Sequence, residues 1–152
     1  MNTRIVKIII SLSLLVMLSG IAANAQDIRL VANIPFDFVV GDVIMPAGDY
    51  DVTKLNTGGV VFRVRDQEGN NAAARLVMRV ERRKARNESV LVFNRYRENG
   101  GEVSHFLSQV WVEGMTTGYE FFKFRVEREA AARAAKRDII TIVIPRANGR
   151  TE

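Results

Sequence analysis

Residues 72–81, AAARLVMRVE, carry the longest clean alternation in the chain and decide its fold class. Ala72, Ala74, Leu76, Met78 and Val80 fall on one side of an extended backbone, and Ala73, Arg75, Val77, Arg79 and Glu81 on the other, because successive strand side chains point to opposite faces. The same period of two continues outward in both directions, in short runs that end at glycine, asparagine or aspartate.

Toward the N-terminus, the turn-rich stretch Asp66 to Asn71 leads back to a strand from Val60 to Arg65. Asn56-Thr57-Gly58-Gly59 joins that strand to another, Tyr50 to Leu55, as a hairpin. Before it, Met45-Pro46-Ala47-Gly48 has the proline and glycine positions of a type I turn. Ile34, Phe36, Phe38 and Val40 share one side of an earlier strand, which ends at Gly41-Asp42.

Toward the C-terminus, Arg82 to Glu88 forms a charged connection, and Ser89 to Tyr96 pairs with Val103 to Val112 across Asn99-Gly100-Gly101. Tyr119 to Val126 reads as an aromatic strand buried on both faces. The period changes once, at Glu127 to Asp138, where five alanines and the Glu129/Arg133 spacing predict a short helix. Ile139 to Ile144 returns to strand character and Pro145 ends it. The sum is a mainly β fold, an antiparallel β-sandwich or small barrel of about nine strands with one short C-terminal helix.

The first 25 residues read as a secretory signal peptide. Arg4 and Lys7 give a positive start, Ile8 to Leu18 an apolar segment, and Ala23-Asn24-Ala25 a small-residue cleavage pattern. Cleavage after Ala25 leaves residues 26–152 as a single β-rich domain. The rival reading is a retained anchor, since the apolar run continues to Ala23 and approaches the roughly 18 residues of a span. Ser11, Ser13, Ser19 and Gly20 dilute that run and favour processing. A transmembrane barrel fits poorly, because several strands fall short of the roughly nine to eleven residues that a tilted membrane strand needs.

Loss of Arg4 and Lys7 leaves 20 basic residues against 17 acidic ones, a net charge of +3 in place of the full chain's +5. That balance permits attraction to anionic surfaces and does not by itself imply nucleic acid. The chain has no cysteine and one histidine. Disulfides, thiol catalysis, cysteine-metal sites and a lipoprotein anchor are thereby excluded, as is any site requiring two histidines.

His105, the only imidazole, lies between Ser104 and Phe106, and strand alternation sends Ser104 and Ser108 away from it. On that alternation it shares a face with Val103, Leu107, Gln109 and Trp111 and reads as a surface or structural residue. Trp111, Phe106, Phe121, Phe122 and Phe124 could wall an apolar cavity, yet core packing is the simpler assignment. Asp37, Asp42, Asp49, Asp51 and Asp66 sit in or beside turns, where aspartate bonds local backbone. Asn87-Glu88-Ser89 fits a glycosylation sequon, a pattern short enough to arise by chance. The basic set that begins at Arg79 concentrates in Arg82, Arg83, Lys84 and Arg86; a solvated hairpin loop is its simpler reading, and an anion-binding loop is the alternative. No aromatic residue lies between Arg79 and Arg86, so the stacking rings of a single-strand nucleic-acid groove are missing from that stretch.

Two segments, IPFDFVVGDVIMPAGDYDV at 34–52 and LVFNRYRENGGEVSHFLSQVWVEG at 91–114, resemble a family of small exported bacterial proteins of uncharacterised function. Ile34-Pro35-Phe36, Phe38, Val40-Gly41, Pro46-Ala47-Gly48, Tyr50 and Phe106 to Trp111 carry the likeness. It implies export and a β architecture, and it transfers no catalytic residue.

The expectation is therefore an exported, periplasmic or extracellular, non-enzymatic β domain that works by binding or assembly in the cell envelope. Its expected partner is an envelope protein or an anionic surface, with no cofactor, no nucleic acid and no membrane insertion after cleavage. A small apolar-ligand carrier and a carboxylate-dependent hydrolase are the alternatives.

Overall fold

The computed structural model describes residues 28–56 and 60–145. The expected signal peptide, the tip of the first hairpin at 57–59 and the polar tail lie outside the described residues.

Among the described residues, ten strands and one helix follow in order: β1 (Arg29–Ile34), β2 (Phe38–Val40), β3 (Val43–Met45), β4 (Gly48–Asn56), β5 (Val60–Asp66), β6 (Ala72–Glu81), β7 (Ser89–Glu98), β8 (Val103–Trp111), β9 (Thr117–Phe121), α1 (Arg125–Arg133) and β10 (Ala134–Ile144). The fold is mainly β and sandwich-like, as the alternation implies. It is not a closed barrel, because among the described residues β1 pairs only with β4 and β10 only with β7.

The stretch that decides the fold class also joins the two layers. In β6, Ala72 to Leu76 pair with β5, whereas Val77 to Glu81 pair with β9. One layer is thus β1-β4-β5 and the first half of β6. The other is the second half of β6 with β9, β8, β7 and β10, and β2-β3 attach to it beside β8. Every pairing is antiparallel except that of β2 with β8, at Val39 and Phe106.

Strand alternation builds the interior. Leu30, Ala32 and Ile34 of β1, Tyr50 and Val52 of β4, and Phe62 and Val64 of β5 are buried against Leu91, Phe93, Leu107, Val110, Tyr119 and Phe121 from the other layer. Aromatic edges interlock there: Phe38 meets Tyr50 at 5.0 Å and Phe93 at 5.6 Å between centroids, both near perpendicular. Such geometry adds about 0.5–1.5 kcal/mol per pair beyond the burial of area. Without a disulfide, this core is the main source of stability.

The early strand expected to carry Ile34, Phe36, Phe38 and Val40 breaks between the end of β1 at Ile34 and the start of β2 at Phe38, where Pro35 has no N–H to donate to a ladder. Three further expectations are corrected. The aromatic strand ends at Phe121, not Val126: Phe122 is 48% exposed and Phe124 serves as the N-cap of α1. The β preference of aromatic residues reflects packing, and no strand neighbour pairs with the backbone there. The helix spans Arg125–Arg133, and residues 134–138 belong to β10. Helix propensity differs by only tenths of a kcal/mol between most residues, and at 134–138 the ladder to β7 outweighs it. A register shift between Ala134 and Lys136 and the ion pair from Arg95 to Asp138, 2.7 Å, fix that register.

The third correction concerns β8. Phe93 pairs with Leu107 but Val92 pairs with Gln109, so Ser108 is an extra residue. This bulge reverses the alternation. Leu107 and Val110 enter the core, while Trp111 packs with Val90 and Val92 on the outer side of the sheet. Trp111 therefore does not share a face with Leu107.

Candidate functional site

The connection from β6 to β7 carries Arg82, Arg83, Lys84 and Arg86. It is tied down along its length to the turn between β8 and β9. Arg82 N donates to the Thr116 carbonyl at 2.9 Å, Gly114 N to the Arg86 carbonyl at 2.9 Å, and Glu113 N to Ser89 Oγ at 3.0 Å. Those bonds bring the basic loop over Trp111, the last residue of β8.

The fold therefore supplies the ring that the loop's own sequence lacks. The guanidinium carbons of Arg82 and Arg86 lie 5.2 and 5.6 Å from the Trp111 ring centroid, within the range at which a cation is attracted to an aromatic face. Trp111 is only 4% exposed, and Val80, Val90 and Val92 surround it. Its Nε1 donates to Gln109 Oε1 at 2.9 Å, and Gln109 Nε2 donates to Glu120 Oε2 at 3.0 Å. This relay fixes the indole's orientation.

Among the described residues, no carboxylate forms an ion pair with Arg82, Arg83, Lys84 or Arg86. Arg82, Arg83 and Lys84 are exposed, while Arg86 is half-buried. Arg86 Nε is shielded from solvent without an acceptor. Burial, and then the nearby Arg82 charge, push the Arg86 pKa down from its ordinary value, against a smaller opposing pull from Glu88. Guanidinium still stays protonated at any physiological pH. Arg79 stands apart: it is in register with Tyr119, on the side of the sheet opposite Val80 and Trp111.

The other candidates have structural partners. His105 stacks on Phe36, 4.1 Å between centroids, and its Nδ1 lies 3.2 Å from the Asp37 carbonyl. Asp37 accepts from Ala47 N, Asp49 from Asn33, Asp51 from Arg29, and Asp66 from the backbone and side chain of Asn71. Asp42 pairs with Arg75, which also lies over the Phe124 ring. Among the described residues no three His, Asp or Glu side chains are grouped to hold a metal.

The aromatic set is divided. Phe121 is in the core, Phe106 packs with Tyr96 beneath α1, Phe122 is exposed, and Trp111 is on the outer side of the sheet. Cavities of about 390, 310 and 240 Å³ are lined by turn and seam residues and by none of these rings.

Sequence reading missed Glu127. It is 5% exposed, and its Oε1 accepts from Asn94 Nδ2 at 2.8 Å and from the Tyr96 hydroxyl at 3.1 Å. Burial and the adjacent carboxylate push the Tyr96 phenol up to about 12. The small face formed by Ala130, Ala131 and Ala134 lets α1 approach the sheet closely enough for this contact.

No helix among the described residues is long and apolar enough to cross a membrane, a statement that does not extend to β-barrels. Comparison with protein-family models, curated proteins and solved structures finds no match to this chain.

Proposed function

We propose that this protein is an exported, non-enzymatic binding domain that engages an anionic partner in the cell envelope through the loop carrying Arg82, Arg83, Lys84 and Arg86. The observation that carries this reading is the pair of guanidinium groups held over Trp111 without a carboxylate. Structural arginines usually neutralise an acidic neighbour, as Arg29, Arg75, Arg95 and Arg133 do here. Arg82 and Arg86 instead lie over the Trp111 ring with no carboxylate in ion-pair contact among the described residues, which suits a surface that attracts anions. The N-terminal signal pattern and the resemblance to exported proteins support the location. The reading needs no catalyst, and Asp37, Asp42, Asp49, Asp51 and Asp66 are engaged in the contacts above.

Salt-dependent retention on an anionic matrix tests the reading. The exported protein is expected to be held weakly and released by moderate salt, because exposed charges are screened within about 10 Å at 0.1 M. Changing Arg82, Arg83, Lys84 and Arg86 together to serine is expected to abolish that retention. Equal retention by the variant would refute the role of the loop.

A further inference from the structure

We propose that Arg82 and Arg86, held beside the Trp111 ring, form a binding site for a phosphate monoester group. This rests on the reading of the basic loop as the contact surface and adds a stereochemical claim about its ligand.

One face of the indole is occupied. A Cβ on Gly118 would stand 2.6 Å from Trp111 Cδ2 and Cε3, so the Gly118 backbone lies directly against the ring. Both guanidinium groups also approach this ring, 5.2 and 5.6 Å from the same centroid. The ring attracts both cations through its quadrupole, but it offers no oxygen to accept their N–H groups. Among the described residues no carboxylate pairs with either group, and Arg86 Nε has no acceptor. What the site lacks is an acceptor carrying negative charge.

Charge and shape select the class. Two adjacent guanidinium groups match a dianion, and a phosphate monoester carries roughly −1.5 to −2 near neutral pH. Its three terminal oxygens can meet two planar N–H forks at once, whereas one fork already engages both oxygens of a carboxylate. Arg83 and Lys84, exposed on the same loop, add attraction at long range without being needed for the contact.

Trp111 is the only tryptophan in the chain, so its fluorescence reports on this site. The exported protein is titrated with inorganic phosphate at pH 8, and with acetate at matched ionic strength, while equilibrium dialysis counts bound phosphate. The expected result is a saturable change in emission with phosphate, none with acetate, and one phosphate per chain. The double variant R82K/R86K keeps both charges but loses the forks, and its phosphate affinity is expected to fall at least about tenfold while matrix retention persists. Glycerol phosphate and vesicles containing phosphatidic acid then separate a soluble source from a lipid headgroup, and saturable binding of either supports the site. Absence of saturable phosphate in dialysis, equal binding of acetate, or full affinity in the lysine variant overturns it. If retention on the anionic matrix survives those results, the phosphate site fails and the broader reading stands.

Discussion

Trp111 and Gly118 face each other across β8 and β9, and the indole occupies the space that a side chain on residue 118 would need. The glycine is required by contact, since its backbone is not among those with positive φ. The arrangement links the fold to the candidate site: the bulge at Ser108 turns Trp111 outward, Gly118 lies against the ring, and the guanidinium groups of Arg82 and Arg86 approach it.

Gly118→Ala is accordingly expected to destabilise the protein by about 1–3 kcal/mol, the usual cost of forcing extra volume into a packed position. Urea unfolding measures the loss, and a shifted Trp111 emission shows the ring displaced. An unchanged midpoint and spectrum would contradict the packing.

Glu127→Ala removes the acceptor for Asn94 and Tyr96 and leaves the buried Tyr96 hydroxyl and the half-buried Asn94 amide without it. The expected loss is about 1–3 kcal/mol, read from the thermal or urea midpoint. Glu127→Gln retains an acceptor oxygen and should lose less. Equal stability of the alanine variant and the parent would show that the contact does not anchor α1.

His105 sets a pH dependence. Burial lowers its pKa, the hydrogen bond to the Asp37 carbonyl opposes that, and the Arg95 charge lowers it further, with the net shift downward from 6.5. The unfolded chain therefore binds the proton first as pH falls. The contribution to stability is complete above about 6.5 and is lost as pH falls through 6.5 toward the lower folded value. His105→Phe should flatten the stability profile between pH 7 and the onset of carboxylate titration. An unaltered slope in the variant would exclude this origin.

Tyr50 ties the turn before β4 to the core. Its hydroxyl donates to the Pro46 carbonyl at 2.6 Å while the ring is 1% exposed. Tyr50→Phe keeps the packing and loses the bond, with an expected cost of about 0.5–1.5 kcal/mol. A variant as stable as the parent in urea would show the bond to be without net effect.

Much of the fold is legible because the strands alternate. The pairing of β4 with β5 and of β7 with β8, the polar turn at Asp66, and the change of period near residue 127 all follow from local pattern. Two kinds of feature do not. A bulge such as that at Ser108 leaves no mark in composition, yet it reverses every facing after it. Long-range pairing likewise converts Ala134 to Asp138 from apparent helix to strand. The candidate site shows the same division: the four basic residues stand together in sequence, but their ring arrives from residue 111 through the β8–β9 turn. Glu127 carried no signal of burial, because a glutamate in an alanine-rich stretch ordinarily faces water.

The most direct measurement is comparative capture from the envelope fraction of the cells that make this protein. The protein and its Arg82, Arg83, Lys84 and Arg86 fourfold serine variant are immobilised side by side and washed with rising salt. The account predicts an anionic component that the parent holds at low salt, releases as salt rises, and loses entirely in the variant. Identical components retained by both proteins, with identical salt dependence, would contradict it.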